Sequence, residues 1–300
     1  MSPAGPAEGT PVTFSILLRD GDTGEIGGGV ASRFLAVGAM VLHARAGHGA
    51  VATQALVNVA LGPRGLSLLE LGVPAEDVVK LLVSQDDRPG RRQVAVLAAA
   101  GAGAAHTGDG CQHWAGHRTG DGFACQGNVL ASRQVVEAMA DVAAAHRAGT
   151  PVAETIMSAL EAGDAAGGDR RGRQSAAVVV MRSAAGYGGT SDTVVDLRTD
   201  DHPHPLPELR RLFGLHHEIF SRPAQQDLIP LAGETLATVA ARLAQVTGEH
   251  FDHADVRAVW PVLDRWAGRE NLEERLVQPE MVDDVLLRAL QRQAQAAPER

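Results

Sequence analysis

The sequence predicts an α+β chain: two antiparallel sheets stacked between helical layers, followed by a small all-helical domain. Three observations carry this. The apolar patterns run in the order strands, two helices, strands, two helices, strands, so hairpins and helix pairs alternate as blocks. The alternating βαβ order of a parallel, doubly wound sheet is missing. From about residue 224 onward no strand pattern survives, and the apolar spacing is helical throughout.

Residues 1–11 hold Pro, Gly, Ala and Ser with nothing to bury and are expected to be a disordered leader. "VTFSILLRD" (12–20) reads as a strand, "GDTG" as a turn and "EIGGGVASRF" (25–34) as the returning strand of a hairpin. "AMVLHARAG" and "GAVATQALV" supply two more strands around Gly47 and Gly49. Residues 63–86 turn helical, with Leu66, Leu69 and Leu71, then Val78, Leu81 and Leu82 repeating, and "RQVAVLAAA" (92–100) resumes strand. A polar, glycine-dense section spans 104–128. Helices are then expected over 132–147, with Val135, Val136, Met139 and Val142 on one face, and from a cap at Thr150–Pro151. A buried strand over 174–182 follows, placed beside the strand at 12–19, and then a short strand near "DTVVDLR". The main domain is bounded at 12–222. Residues 224–300 form the helical domain, with Trp260 and Trp266 in its core.

Composition narrows the function. Of 300 residues, 45% are hydrophobic and 21% charged, and the net charge is −9, which argues against a nucleic-acid partner. No uncharged apolar stretch is long enough for a membrane span and no signal peptide is visible, so a cytoplasmic location is expected. Two cysteines, Cys111 and Cys125, are too few for a disulfide framework. The glycine patterns lack the strand–turn–helix context of a nucleotide site, and no cofactor is expected.

Three stretches carry chemistry-bearing residues. "HTGDGCQHWAGH" (106–117) gathers His106, Cys111, His113 and His117, but it is too rich in glycine for a helical ligand pair, so no metal is expected and His106 is read as lining a pocket. "QGN" ends at Asn128, which reads equally as a turn residue and as a site residue. "GGDRRGRQSAAVVV" (167–180) crowds Asp169, Arg170, Arg171, Arg173, Gln174 and Ser175 at the mouth of a core strand, far more polarity than a turn requires.

Six ordered blocks, among them "TFSILLRD", "GGGVASRFLAVGAMV", "AAHTGDGCQHWAGHRTGDGFACQGNVL" and "GGDRRGRQSAA", together resemble a bacterial and archaeal domain-of-unknown-function family with the N-terminal-nucleophile (Ntn) hydrolase fold, over residues 12 to about 222. The tail, "WPVLDRWAGRENLEERLVQPEMVDDVLLRAL", resembles a peptidoglycan-binding-like domain. The resemblance implies a four-layer αββα sandwich and hydrolysis of an amide bond by an N-terminal Thr, Ser or Cys. By analogy with proteasome β subunits it implies that Thr13 is the nucleophile. Arg45 would stand where a lysine lowers the nucleophile's pKa, and Asn128 at the position of a mid-chain serine. Asp169 and Ser175 would orient the amine. Arginine supplies field there but shuttles no proton.

On this reading Thr13, Arg45, Asn128, Asp169 and Ser175 converge on one cavity, and His106, Arg171 and Gln174 bind substrate. Arg171 and Arg173 serve a substrate carboxylate or, equally, a structural ion-pair network. The expected partners are a small-molecule amide substrate and, as an open alternative, a second copy of the chain in a homo-oligomer. A free Thr13 amine requires removal of the leader, either by initiation at a GTG codon read as Val12 followed by loss of Met, or by self-cleavage of the Val12–Thr13 bond. A non-catalytic protein that binds a ligand or glycan on the same scaffold is the competing expectation.

Overall fold

The computed structural model describes residues 13–112, 114–251 and 255–296; the leader, Val12 and His113, on which expectations fell, lie outside them. The chain is mixed α+β and divides into two compact units within one helix, at Leu212/Phe213.

In the first unit the elements run β1 (Thr13–Arg19), β2 (Ile26–Ser32), a single helical turn α1 (Gly38–Val41), β3 (Leu42–Arg45), β4 (Gly49–Ala55), α2 (Leu61–Glu70) and α3 (Ala75–Ser84). There follow β5 (Arg92–Ala98), β6 (Ala104–Thr107), β7 (Gly116–Gly120), β8 (Phe123–Asn128), α4 (Gln134–Ala144), α5 (Val152–Ala165), β9 (Ser175–Met181), β10 (Thr193–Thr199) and α6 (Pro205–Phe220), which runs on into the second unit. The strands form a six-stranded sheet, β10-β9-β2-β1-β8-β7, and a four-stranded sheet, β3-β4-β5-β6. Every pairing within them is antiparallel.

Strand alternation decides which side chains meet. Leu17, Val30, Ala124 and Ala177 of the large sheet share one buried cluster with Ala50, Ala52, Ala95 and Leu97 of the small one. The opposite face of the small sheet, with Val51, Val94 and Val96, packs on Leu61, Leu66, Leu69, Val78 and Leu82 of α2 and α3. The run Gly27–Gly29 is a packing device. A Cβ on Gly28 would lie 2.8 Å from Leu17 Cδ2 and 3.2 Å from Leu42 of the other sheet, and one on Gly29 would lie 2.4 Å from Ile156 of α5.

In the first unit four expectations need correction. The strand at 175–181 is not beside β1; β2 lies between them. The helical stretch 63–86 is two helices, parted where Gly72 takes φ +78° and Pro74 caps α3. "AMV" is the helical turn α1, so β3 is only four residues long. Thr150 does not cap α5; Pro151 takes the cap position, and the buried Glu25 carboxylate accepts the Val152 N–H at 3.1 Å.

The second unit holds β11 (Leu228–Pro230), α7 (Gly233–Thr247), α8 (Val256–Arg269), β12 (Met281–Asp283) and α9 (Asp284–Ala296). It is therefore not all-helical. β11 and β12 pair as a ribbon of three residues each, too short to show an alternating pattern. Its core gathers Leu236, Val239, Leu243, Leu263, Leu286 and Leu290 around Trp266, with Trp260 packed at the edge. Arg275 and Asp283 form a buried ion pair. Arg275 also donates to the carbonyls of Glu218 and Ser221 at the end of α6, and Asp283 accepts the Leu286 N–H in the first turn of α9. Both charges are thus partnered beyond each other, which a buried pair requires. Among the described residues no helix is long and apolar enough to cross a membrane.

Candidate active site

β1 puts Thr13, Ser15 and Leu17 on the face toward the small sheet and Phe14, Ile16 and Leu18 on the other. The turn at Gly21–Gly24 sets the hairpin register so that Ser32 lies directly opposite Thr13. On the other side of β1, Asn128 of β8 is opposite Thr13, and Ser175 of β9 is opposite Ser32. Ser175, Ser32, Thr13 and Asn128 therefore form one row across four neighbouring strands, and all four are buried. Within it the Thr13 hydroxyl donates to Ser32 Oγ at 3.3 Å.

The small sheet answers with a second polar row. Gln54 and Gln93 are register partners, and Gln93 is paired in turn with Thr107. Gln54 Nε2 donates to the Thr13 carbonyl at 3.2 Å and to Gln93 Oε1 at 2.8 Å, while its oxygen accepts Ser15 Oγ at 2.7 Å. Gln93 is the hub. Its oxygen also accepts Asn128 Nδ2 at 3.0 Å, and its amide donates to the Gly127 and Gly116 carbonyls and to Thr107 Oγ1. Thr107 Oγ1 in turn meets His117 Nδ1 at 2.9 Å; burial, with a smaller push from the His106 charge, lowers the His117 pKa. In and beside these two polar rows the buried acceptors Gln126 Oε1 and Asn128 Oδ1 have no partner among the described residues.

At the strand ends Asp169 organises the backbone. Its buried carboxylate accepts the Arg33 N–H at 2.7 Å, next to Ser32, the Arg171 N–H at 2.8 Å and the Arg171 guanidinium at 3.2 Å. Ser175 holds the adjoining loop, donating to the Phe34 carbonyl and accepting the Val37 N–H at 3.1 Å. A cavity of about 10 Å³ touches Thr13, walled by Phe34, Val37, Met40, Val41, Gln54 and Val57.

The structure thus brings Thr13, Asn128 and Ser175 into one row, with Asp169 beside it. The remaining expected site residues fall elsewhere. Arg45 sits on the outer, helix-facing side of β3, because Leu42 and Ala44 take the inner side. Its guanidinium pairs with Glu70 of α2 at 2.5 Å. It lies opposite Gly49, five residues along β4 from Gln54, or about 16 Å at roughly 3.3 Å per residue. His106 is opposite Val94, whose side chain faces the helices, and its Nε2 meets the Pro89 carbonyl at 3.0 Å. Thr107 holds the inner position instead. Gln174 precedes Ser175 and so points the other way, to Asp201 Oδ1 at 3.1 Å. Arg171 is bound inward to Asp169 and the Arg33 carbonyl, and Arg173 to Asp164 at 2.7 Å, so both belong to ion-pair networks. Ser175 reaches the loop carbonyl rather than Thr13, since Ser32 stands between them.

Sequence reasoning missed Ser32, Gln54 and Gln93. The signal for Ser32 was present: a hairpin centred on residues 21–24 pairs position 13 with position 32. None of the described side chains hydrogen-bonded to Thr13 is titratable, so the row alone offers a hydroxyl and amides but no base. Among the described residues no group of three His, Cys, Asp or Glu side chains converges as a metal site.

Residues 13–209 match the model of DUF1028, a family of unknown function. The crystal structure of protein SPO2555 from Silicibacter pomeroyi, which carries the same family designation, is similar at 30% sequence identity and a TM-score of 0.62, covering 75% of this chain and 92% of that one. No curated protein matches the chain.

Proposed function

The chain belongs to the DUF1028 family of unknown function, and from that premise we propose that its first unit is an Ntn-type αββα sandwich that hydrolyses an amide bond in a small substrate, with Thr13 as nucleophile. The observation that carries this reading is the row itself. A threonine opens a central strand, buried between two sheets, with hydroxyls and an amide as its register neighbours and Asp169 ordering the adjacent backbone.

The chemistry follows from what the row lacks. With no titratable side chain among the described residues hydrogen-bonded to Thr13, the base is the α-amine of Thr13 itself, a group that in free peptides titrates at about pH 8. The amine takes the hydroxyl proton as Oγ bonds to the substrate carbonyl carbon. The same proton passes to the leaving nitrogen as the C–N bond breaks, and water then cleaves the acyl ester. Gln54, Gln93 and Asn128 position Thr13; they exchange no proton. The reading requires the Val12–Thr13 bond to be absent from the active form. A cytoplasmic location, and a peptidoglycan-binding-like role for the second unit, belong to the same proposal.

A second reading has its own support: Thr13 is fully buried and the cavity touching it has room for about one water. That suits a scaffold that binds a ligand or glycan without catalysis. Intact mass and N-terminal sequencing of protein made from the native gene separate the two. A Thr13 start, with amide hydrolysis abolished by Thr13→Ala, is the expected result. Residues 1–12 still attached to an active protein end the N-terminal-nucleophile reading. If the chain starts at Thr13, replacing the Val12 codon with another valine codon distinguishes late initiation from self-cleavage.

A further inference from the structure

The walls around Thr13 carry information about the substrate. Five of the six described residues that line the cavity with it, Phe34, Val37, Met40, Val41 and Val57, have side chains of only hydrocarbon or thioether. The sixth, Gln54, is engaged at every polar atom: its two amide hydrogens go to the Thr13 carbonyl and Gln93, and its oxygen accepts Ser15. Among the described residues, a ligand group entering beside the Thr13 hydroxyl therefore meets no side-chain donor left free in that wall. Charged residues flanking the wall are committed elsewhere: Arg33, next to Phe34, donates to the Arg171 carbonyl, and Asp169, which accepts the Arg33 N–H, pairs with Arg171.

The apolar character also continues outward. Leu35, next to Phe34, is 57% exposed, and Val59, two residues beyond Val57, is 41% exposed. Ser175 pins the Phe34–Val37 segment at both ends, so this wall is fixed to the row. Its volume, about 10 Å³, admits one methyl-sized group; half-buried Met40, with its flexible thioether, is the wall that can yield.

We propose that the group on the acyl side of the scissile amide is short, aliphatic and uncharged, two or three carbons long, seated against Phe34, Val37, Met40 and Val57. The substrates are then N-acetyl- or N-propionyl-type amides. This rests on the Thr13 reading, and the closing experiment keeps the two apart.

Protein beginning at Thr13 is assayed on aryl amides bearing acetyl, propionyl, hexanoyl and succinyl groups. The expected kcat/KM for acetyl and propionyl exceeds that for hexanoyl by at least about tenfold, the selectivity a small apolar pocket provides, and succinyl stays at background. Met40→Ala should narrow the gap to hexanoyl. Thr13-dependent turnover that favours succinyl, or ignores the acyl group, overturns the inference and leaves the nucleophile reading standing. A second measurement covers the case of no turnover: thermal stabilisation of wild type and Thr13→Ala by propionamide against succinamate. Selective stabilisation by propionamide without turnover sustains the pocket and sinks the nucleophile. No stabilisation and no turnover sink both.

Discussion

The interface between the two sheets changes character halfway along β1. At Leu17 the sheets meet through Val30, Ala50, Ala52, Ala95, Leu97 and Ala177, all apolar and mostly small. Two strand positions earlier, at Ser15 and Thr13, the same alternation delivers Gln54, Gln93, Gln126, Asn128, Ser32 and Ser175 instead. Geometry, burial and register are alike in both halves; only the chemistry differs. An apolar interface stabilises by area alone, whereas a polar one must satisfy every donor and acceptor and still contributes little net stability. A fold built only for stability has no use for the second half. Amide-to-amide hydrogen bonding that leaves Gln126 Oε1 and Asn128 Oδ1 unmatched marks that half as held for a purpose other than stability.

The largest test of this contrast is Leu17→Ala. Leu17 is 1% exposed, and its side chain lies over its register partner Gly28 in the cluster that the two sheets share. Removing it should cost about 3 kcal/mol, the usual cost of a buried cavity of that size, read as a lower urea midpoint. A loss below about 1 kcal/mol would mean that the apolar half is not what holds the sheets together.

Gln93→Leu makes the matching cut in the polar half. It preserves volume but strips partners from Asn128 Nδ2, Gln54 Nε2 and the Gly116 and Gly127 carbonyls. The expected loss is about 2 kcal/mol, smaller than for Leu17→Ala because the net worth of each bond is modest. If the variant is more stable than wild type, the polar half is a tolerated cost, and its amides serve the site alone.

These halves were not equally legible in the sequence. The apolar half announces itself by alternation, and the hairpins, helix pairs and paired antiparallel sheets followed from it. The polar half was visible only in part. Thr13, Asn128, Asp169 and Ser175 are reached through the family resemblance, because a threonine that opens a strand and an asparagine that ends one are ordinary in themselves. Gln54 and Gln93 lie inside strands of otherwise small apolar residues, where a glutamine looks incidental until its register partner is known. Arg45 was misplaced for a related reason: one residue of offset along a four-residue strand turns a side chain from the inner face to the outer. The ribbon at 228–230 and 281–283 pairs segments some fifty residues apart, a contact no local pattern encodes.

A subtler test uses pH. His43 lies on the outer face of β3 against Gly62, with Nε2 buried and unpartnered; burial lowers its pKa despite an opposing hydrogen bond with the Met40 backbone. A base whose folded pKa lies below its unfolded value, near 6.5, binds more protons when unfolded. Stability is therefore intact above that value and falls as pH drops through it toward the folded pKa. Wild type should lose stability relative to His43→Leu between pH 7 and pH 5, by less than about 1.4 kcal/mol per pH unit. Parallel pH profiles for the two proteins would show that His43 titrates alike in both states.

The smallest effect is expected where the resemblance and the structure disagree outright. Analogy with the proteasome gives Arg45 the role of the cation that depresses the nucleophile's pKa; its position gives it a surface ion pair with Glu70, both partners about half exposed. Exposed pairs of this kind contribute between about 0 and 1 kcal/mol and are weakened by salt. At about 16 Å from the Gln54 level of the sheet, beyond a Debye length of ~8 Å at physiological ionic strength, its field at Thr13 is largely screened through solvent. Arg45→Ala should therefore move stability by under about 0.5 kcal/mol and leave both the rate and the pH profile of Thr13-dependent hydrolysis unchanged. A shift of the acidic limb of that profile toward higher pH, with the fold intact, would return to Arg45 the electrostatic role the structure denies it. It would also require β3 to present its outer face to the site, which the Leu42–Ala52 and Arg45–Gly49 register forbids in this arrangement of the sheets.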